Sequence, residues 1–512
     1  MSERGSLPSS WGREGKHLRV GVWLAYLAGL SMAALGCQAC RGVGKRPNIL
    51  VVVVDSLRAD HLHHAGDARH LSPSLDRLAE QGARFLNAYS AAPWTTPSVM
   101  TLMTGLTPAI HHVDDADRTL HSSVKTLAER FKAAGYATCA VMPALTLAAH
   151  LGFDRGFDQF IFENQGHSRV SGPWSTAQAL AFLRENAGRP SFLYVHMWDV
   201  HYNYNPPVPY ALKFQAGRPP GPGENDDVTA RVLQPDRFEE LPPDRLAWLE
   251  GQYAGEILFT DEEIGHILKE VDRLGRAENT IIVVTADHGE AFQEHGRLGH
   301  TVHLYEEQTH VPLLVRWPGH IAPARILRPP VGLVDLAPTL LELAGIPFVP
   351  ERFEGRSHAA DLLETRPTAN GAGPGGERWI LQATSRRAEA RGLRSARWAY
   401  LYDFAAGREE LYDLRADPGE QVNLAASHRE EASAARHRLC ERLAWTLPGG
   451  EIPVQPLDPG IQAMLAAGLR SLGYVGGSEA QEGIRRPPRT ENAASDRRET
   501  LEILGCDLLP GS

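Results

Sequence analysis

Six apolar residues in succession, Ile49-Leu50-Val51-Val52-Val53-Val54, lead straight into Asp55. A β-branched run with no polar alternation suits a strand buried on both faces, which occurs in a mostly parallel sheet covered by helices. The pattern recurs downstream. Ala137–Met142, Phe192–His196 and Thr280–Ala286 read as further strands, and helical stretches fall between them over Ser72–Gly82 and Lys125–Ala134. Ser72 caps the first of these helices and Gly82 stops it, while Gly135 stops the second. Strands alternating with helices predict an α/β fold built on a large, mostly parallel sheet flanked by helices. At 512 residues the chain has room for that domain and a smaller appendage.

The appendage is expected after a Gly/Ala/Pro-rich linker at Arg366–Glu377, where Trp379–Leu414 reads as short strands joined by turns, a small antiparallel sheet. Arg429–Trp445 reads as a helix, and residues from 477 onward read as a disordered tail. Pro206–Pro243, rich in Pro, Gly and charge, is expected to be an exposed loop or lid. The resulting division is 1–45 for export or anchoring, 46–365 for the main domain, 378–475 for the C-terminal subdomain and 477–512 for the tail.

A net charge of −10 and no long basic run in the folded region argue against a nucleic-acid partner. Five cysteines, widely scattered, do not make a disulfide framework, and the Cys37/Cys40 pair lacks a second pair for a zinc site. Arg13, Lys16 and Arg19 precede an apolar run from Val20 to Cys37, the arrangement of an export signal. Ala34-Leu35-Gly36-Cys37 is an imperfect lipobox, and the run also reaches the lower limit of a membrane-spanning length. Lipid attachment at Cys37 and an uncleaved signal anchor both remain open. Either places the body of the protein in an extracytoplasmic space, periplasmic or at the cell envelope.

Two sequence segments bring chemistry to strand ends. Asp55 closes the first strand, and Asp287-His288-Gly289-Glu290 closes the fourth. Ligands of doubly wound sheets bind outside the carboxyl ends of strands. Strand-end Asp and His can also serve as plain caps of the following turn. Convergence of these residues instead suits one divalent cation: Ca²⁺, Mg²⁺ or Mn²⁺ by the carboxylates, with the imidazole favouring Mn²⁺ or Zn²⁺.

The segment Pro93-Trp94-Thr95-Thr96-Pro97-Ser98-Val99 followed by Thr104-Gly105 resembles the signature of the sulfatase family, in the alkaline phosphatase superfamily. That signature is Cys/Ser-x-Pro-Ser-Arg, with Thr-Gly five residues later. The resemblance extends over residues 46 to 475. It implies that Asp55, Asp287 and His288 bind metal and that Thr95 occupies the position otherwise converted to formylglycine. In the motif His196-Met197-Trp198-Asp199-Val200-His201 it assigns His201 to the sulfuryl or phosphoryl oxygens. The segment Gly299-His300-Thr301-Val302-His303 nominates His300, and Pro108-Ala109-Ile110-His111 nominates His111. Glu410–Glu420 resembles the strand and turn of the C-terminal subdomain.

Three departures matter. Thr95 is not a residue that the family converts, so no formylglycine is expected. Val99 replaces the signature Arg, and Ser56 stands where a second Asp is frequent. The chemistry that follows uses the Thr95 hydroxyl as nucleophile and, with the metal, as ligand, favoured by a helix N-terminus. His201 or His300 protonates the leaving alcohol. The main expectation is an exported, metal-dependent hydrolase of a sulfate or phosphate ester carried by a small molecule, a glycan or a lipid headgroup. An envelope phosphoryl transferase working through a phospho-threonine is the second reading, and an inactive binding protein that keeps the fold is the third.

Overall fold

The computed structural model describes residues 46–115, 117–164, 170–217, 219, 240–364, 377–384, 389–471 and 493–506. The segments read as export signal and linker therefore lie outside the described residues, apart from Glu377 at the end of the linker. An eight-stranded sheet forms the centre. Its strands are β1 (Asn48–Val54), β2 (Ala83–Phe85), β3 (Ala137–Met142), β4 (Gln159–Phe162), β5 (Ser191–Met197), β6 (Thr280–Ala286), β7 (Leu313–Arg316) and β8 (Arg325–Leu327). They lie in the order β8-β2-β7-β6-β1-β5-β3-β4, and β7 alone among them runs against its neighbours. The mostly parallel α/β sheet expected from the apolar runs is what forms.

β1 is the axis of this sheet. It pairs in parallel with β5 on one side and β6 on the other, with Val53 opposite His196 and Val54 opposite Ala286. Every residue of β1 and β6 is buried, as a strand with helices on both faces requires. The covering helices are α1 (Pro73–Gln81), α2 (Thr95–Thr104), α3 (Pro108–His111), α4 (Leu127–Ala133), α5 (Gly172–Glu185), α6 (Val208–Lys213), α7 (Pro243–Arg273) and α8 (Leu336–Leu343). α4 carries a capping box in which the Thr126 hydroxyl accepts from Glu129 N, while the Glu129 carboxylate accepts from Thr126 N. All ten residues of α2 are buried, and it ends at Gly105 in the left-handed region with φ +70°.

The expected loop over 206–243 is corrected in part. Val208–Lys213 is the helix α6, packed against α7. Gly255 of α7 permits this approach, because a Cβ there would stand 3.0 Å from the Tyr210 carbonyl oxygen. Most of the remainder of that segment lies outside the described residues.

The C-terminal subdomain is a four-stranded antiparallel meander, β9 (Ile380–Thr384), β10 (Ala390–Arg394), β11 (Trp398–Asp403) and β12 (Arg408–Asp413), backed by α9 (Arg429–Ala444). The expectation of a disordered tail fails at its end: Ala493–Ile503 is a helix, α10. Leu501 of this helix and Leu504 just beyond it join a cluster with Leu439 and Leu443 of α9, and a disulfide links Cys440 to Cys506. A mostly polar segment is thus held by two leucines and one covalent bond.

Arg394, fully buried, fastens this subdomain to the main sheet's loops. Its guanidinium donates to Glu306 (2.7 Å), Glu420 (2.9 Å and 3.0 Å), Gln382 (3.0 Å) and the Leu304 carbonyl (2.6 Å). Burial pushes the Glu420 carboxyl up to about 7 despite the arginine, so this network depends on its cation. Arg394→Ala leaves the buried Glu420 carboxylate without its cation, while Glu306 keeps His310, and is expected to lower unfolding stability by about 3–5 kcal/mol. Urea unfolding measures the loss, and a change below about 1 kcal/mol would show that water replaces the guanidinium at little cost.

Candidate active site

Three strand ends and one helix start meet at a single buried cluster. Asp55 follows β1, His196 lies in β5, Asp287 and His288 follow β6, and Thr95 opens α2. Each of these residues has at most 1% of its surface exposed. The register explains the convergence. Parallel neighbours end on the same side of the sheet, and the Asp55 amide continues the ladder by donating to the Met197 carbonyl at 2.8 Å.

Asp55 is the hub. Its Oδ2 is 3.0 Å from His196 Nε2 and accepts from Thr95 Oγ1 at 3.3 Å, while its Oδ1 accepts from Ser56 Oγ at 2.8 Å. His288 Nε2 stands 3.6 Å from Asp55 Oδ1, 3.5 Å from Asp287 Oδ2 and 3.4 Å from Thr95 Oγ1. Thr95 therefore sits against the cluster.

Backbone geometry holds the two carboxylates together. Ser56 adopts a left-handed conformation, φ +57°, and its amide donates to Asp287 Oδ1 at 3.2 Å. The His288 amide donates to the same oxygen at 2.9 Å. The Tyr253 hydroxyl, from α7, donates to the Ser56 carbonyl at 2.7 Å and accepts from Arg58 N at 3.0 Å, which fixes the turn. Non-glycine residues held in this region at a cost tend to mark functional sites. α2 is latched to the same place, since Ser98 Oγ donates to the Asp287 carbonyl. Gly289 is required for close approach: a Cβ there would lie 2.2 Å from the Glu307 carbonyl oxygen.

The electrostatics suit a cation. Burial alone would raise Asp55, yet the hydrogen bond from His196 and the charges of His201 and His288 hold it well below the usual carboxylate range. Asp287 goes the other way, pushed up to about 6 by burial and by the neighbouring Asp55 charge. Its Oδ2 accepts no hydrogen bond from the described residues although it is fully buried. One ligand atom from each of Asp55, His196 and Asp287 fits within a span of 4.8 Å. A donor set of two carboxylates and imidazole nitrogen, with one carboxylate oxygen lacking a hydrogen-bond donor, fits a divalent metal ion.

Further imidazoles line the cluster. The ring of His300 lies 4.3 Å from that of His288 and 4.8 Å from that of His201, centroid to centroid. His201 stacks on Trp198 at 4.1 Å, and its Nδ1 meets the Tyr202 carbonyl. A carbonyl only accepts, so Nδ1 carries the proton and Nε2 is the nitrogen that exchanges one. His300 Nδ1 pairs with Glu290 Oε1 at 2.9 Å. His201 and His300 are thus brought to the cluster.

His111 is not. It closes α3, where its Nδ1 accepts from the Val113 amide at 3.0 Å. Its Nε2 is 3.2 Å from the hydroxyl of Thr101, which donates in turn to the Pro97 carbonyl. Both nitrogens are used in bracing α2. Asp199, within the same motif as His201, accepts from the Ser171 amide at 2.6 Å and so anchors the start of α5. His196 reads in the sequence as one more residue of a buried strand, and it is the structure that sets it beside Asp55. Val99, at the signature's Arg position, is fully buried in the hydrophobic core.

Residues 47–346 match the family model described as sulfatase, and residues 294–446 match one described as the C-terminal part of N-sulphoglucosamine sulphohydrolase. A choline-sulfatase of Rhizobium meliloti (strain 1021) is 27% identical over 485 residues, covering 80% of this chain and 89% of the relative. Arylsulfatase K of Homo sapiens is 25% identical over 469 residues, covering 80% of this chain and 85% of the relative. The phosphonate monoester hydrolase of Agrobacterium radiobacter shares the fold, with a TM-score of 0.65 at 21% identity over 78% of this chain and 96% of that one.

His111 generates a pH prediction. Burial depresses its pKa to about 3, against 6.5 for an ordinary histidine. Between these values the unfolded chain binds the extra proton, so acidification below 6.5 costs stability. His111→Gln should lower the Tm at pH 7 and flatten its decline between pH 7 and pH 5, as read by thermal unfolding at both ends of that range. An unchanged slope would contradict the assignment of His111 as a neutral brace.

Proposed function

We infer the activity from two facts: the chain belongs to the sulfatase family and is an ester hydrolase of that family, and its strand ends surround the hydroxyl of Thr95 with acid and imidazole groups. The reading is a metal-dependent hydrolase of a sulfate or phosphate ester in which Thr95 is the nucleophile. The observation that carries it is the placement of Thr95 Oγ1, 3.3 Å from Asp55 Oδ2 and 3.4 Å from His288 Nε2, at the N-terminus of α2.

Asp55, His196, Asp287 and His288 would hold the ion. When bound, it supplies positive charge that lowers the pKa of the hydroxyl and neutralises the nonbridging oxygens of the ester. The chain's own groups do the rest. His288 Nδ1 donates to the Gly289 carbonyl at 2.9 Å, which leaves Nε2 facing Thr95 and the two carboxylates. The helix dipole favours the alkoxide of Thr95, whose proton would be released to solvent as the ion is taken up, the hydroxyl standing within reach of Asp55 and His288. The bond from Thr95 Oγ1 to sulfur or phosphorus forms as the bond to the leaving alcohol breaks. His201 or His300 gives that alcohol its proton. Water then cleaves the threonyl ester, releasing sulfate or phosphate and restoring the hydroxyl.

The side chain at 95 favours phosphorus over sulfur. A formylglycine hydrate can expel sulfate by collapsing to an aldehyde, whereas a threonyl ester must be hydrolysed outright. Val99 fills the core where the signature Arg would otherwise stand, in keeping with a nucleophile that needs no conversion. Export is part of the proposal, resting on the basic and apolar leader up to Cys37 and supported by the Cys440–Cys506 disulfide, a bond that persists in oxidising compartments.

Paired nitrophenyl sulfate, phosphate monoester and phosphate diester substrates test the reading. Thr95→Ala is expected to remove phosphoester turnover by at least about 1000-fold, and Thr95→Ser to retain a measurable part of it. Turnover that survives Thr95→Ala would place the nucleophile elsewhere.

A further inference from the structure

His201 and His300 both reach the cluster, and the groups behind them differ. His201 Nδ1 meets a neutral carbonyl, that of Tyr202. His300 Nδ1 meets a carboxyl group, Glu290 Oε1, at 2.9 Å. Neither Glu290 nor His300 exposes any surface. The local chain delivers this pair. Ala291–Phe292 and Leu298–Gly299 form a short antiparallel hairpin in which Ala291 lies opposite Gly299, so Glu290 and His300 are the next pair along. Thr301 then takes φ +91°, a conformation that is costly for a β-branched residue and tends to mark a functional position. Its amide donates to the carbonyl of Pro93, two residues ahead of Thr95, at 2.9 Å. Its carbonyl accepts from Thr384 Oγ1 of β9 at 3.0 Å. His300 is thereby fixed by its ring, by the hairpin before it and by the backbone after it.

We propose that Glu290 is the positioning residue of the proton donor: it fixes His300 so that Nε2 presents a proton to the oxygen of the departing alcohol, and His300, not His201, is the acid. The inference rests on the Thr95 reading above and deepens it. In a buried site a pair of zero net charge is favoured over a charged one. Such a pair of Glu290 and His300 holds two protons. One lies between Oε1 and Nδ1, whichever atom carries it, and the other is on Nε2. The neutral ring of His201 is arranged the other way, with its proton on Nδ1 toward the Tyr202 carbonyl and a lone pair on Nε2. As the ester bond breaks, its electron pair stays on the alcohol oxygen, the Nε2–H bond of His300 breaks and an O–H bond forms. The remaining proton stays on Nδ1 against the Glu290 carboxylate, which holds the ring in the tautomer needed for the next cycle. Hydrolysis of the threonyl ester returns what was given: the water oxygen bonds to phosphorus and its hydrogen passes to Nε2.

The test uses the full chain and a series of aryl phosphates whose leaving phenols run from acidic to basic. The readout is kcat/KM, which reports formation of the threonyl ester and not its hydrolysis. Glu290→Gln keeps the size of the side chain, and thermal unfolding verifies that it folds. Its loss should grow with the basicity of the phenol, from a few-fold for a nitrophenyl ester to at least about 100-fold for the phenyl ester. His300→Ala should show the same dependence, and the double variant should be no slower than His300→Ala alone, because Glu290 acts through that ring. A Glu290→Gln loss that is uniform across the series, or losses that multiply in the double variant, overturns the proposal. So does a leaving-group dependence that appears in His201→Ala in place of His300→Ala. In each of these outcomes turnover still requires Thr95, and the nucleophile reading stands. A wild type that turns over none of the series, or whose turnover survives Thr95→Ala, overturns both.

Discussion

Parallel pairing of β1 with β5 and β6 is the constraint from which the site follows. Strands that run the same way end on the same side, and here the ends carry Asp55, His196 and the pair Asp287-His288. None of these groups would be stable alone in so dry a place, since an unpaired buried carboxylate is costly. Each is kept by the others: Asp55 by the imidazole of His196, Asp287 by the amides of Ser56 and His288. The left-handed turn at Ser56, clamped by the Tyr253 hydroxyl, is the local strain that allows two carboxylates to face one another.

The rest of the molecule serves that meeting point. α2 brings Thr95 to the cluster and is held along its length, by Ser98 on the Asp287 carbonyl and by His111 on the Thr101 hydroxyl. The long helix α7 reaches the same turn through Tyr253. The C-terminal sheet is coupled to the loop after β6 through Arg394, whose carboxylate partner Glu306 lies on that loop and whose other acidic partner is Glu420. Membership of the sulfatase family accounts for this framework.

Much of this was legible in the amino-acid order. Runs rich in β-branched residues marked β1 and β6, and shorter, largely apolar stretches marked β3 and β5, as strands covered on both faces allow. Asp55 and Asp287-His288 stood out because polar residues follow those runs directly. His196 did not, because a histidine inside a buried strand carries no local sign of what it faces; only the register with β1 sets it beside Asp55. His111 was drawn in by its place in a motif, while its function as a brace depends on Thr101 and Val113, which no spacing rule connects to it. The tail helix α10 was hidden by its polar composition, since its order depends on a disulfide with a residue 66 positions away.

The claim on which the account turns is that Thr95 itself carries the transferred group. Mass spectrometry of the full chain, quenched during turnover of a phosphate ester and digested, addresses it directly. A phosphoryl adduct on the peptide containing Thr95, absent from the Thr95→Ala variant, is the predicted result. Turnover with no adduct at that residue, or an aldehyde found in its place, would contradict the account.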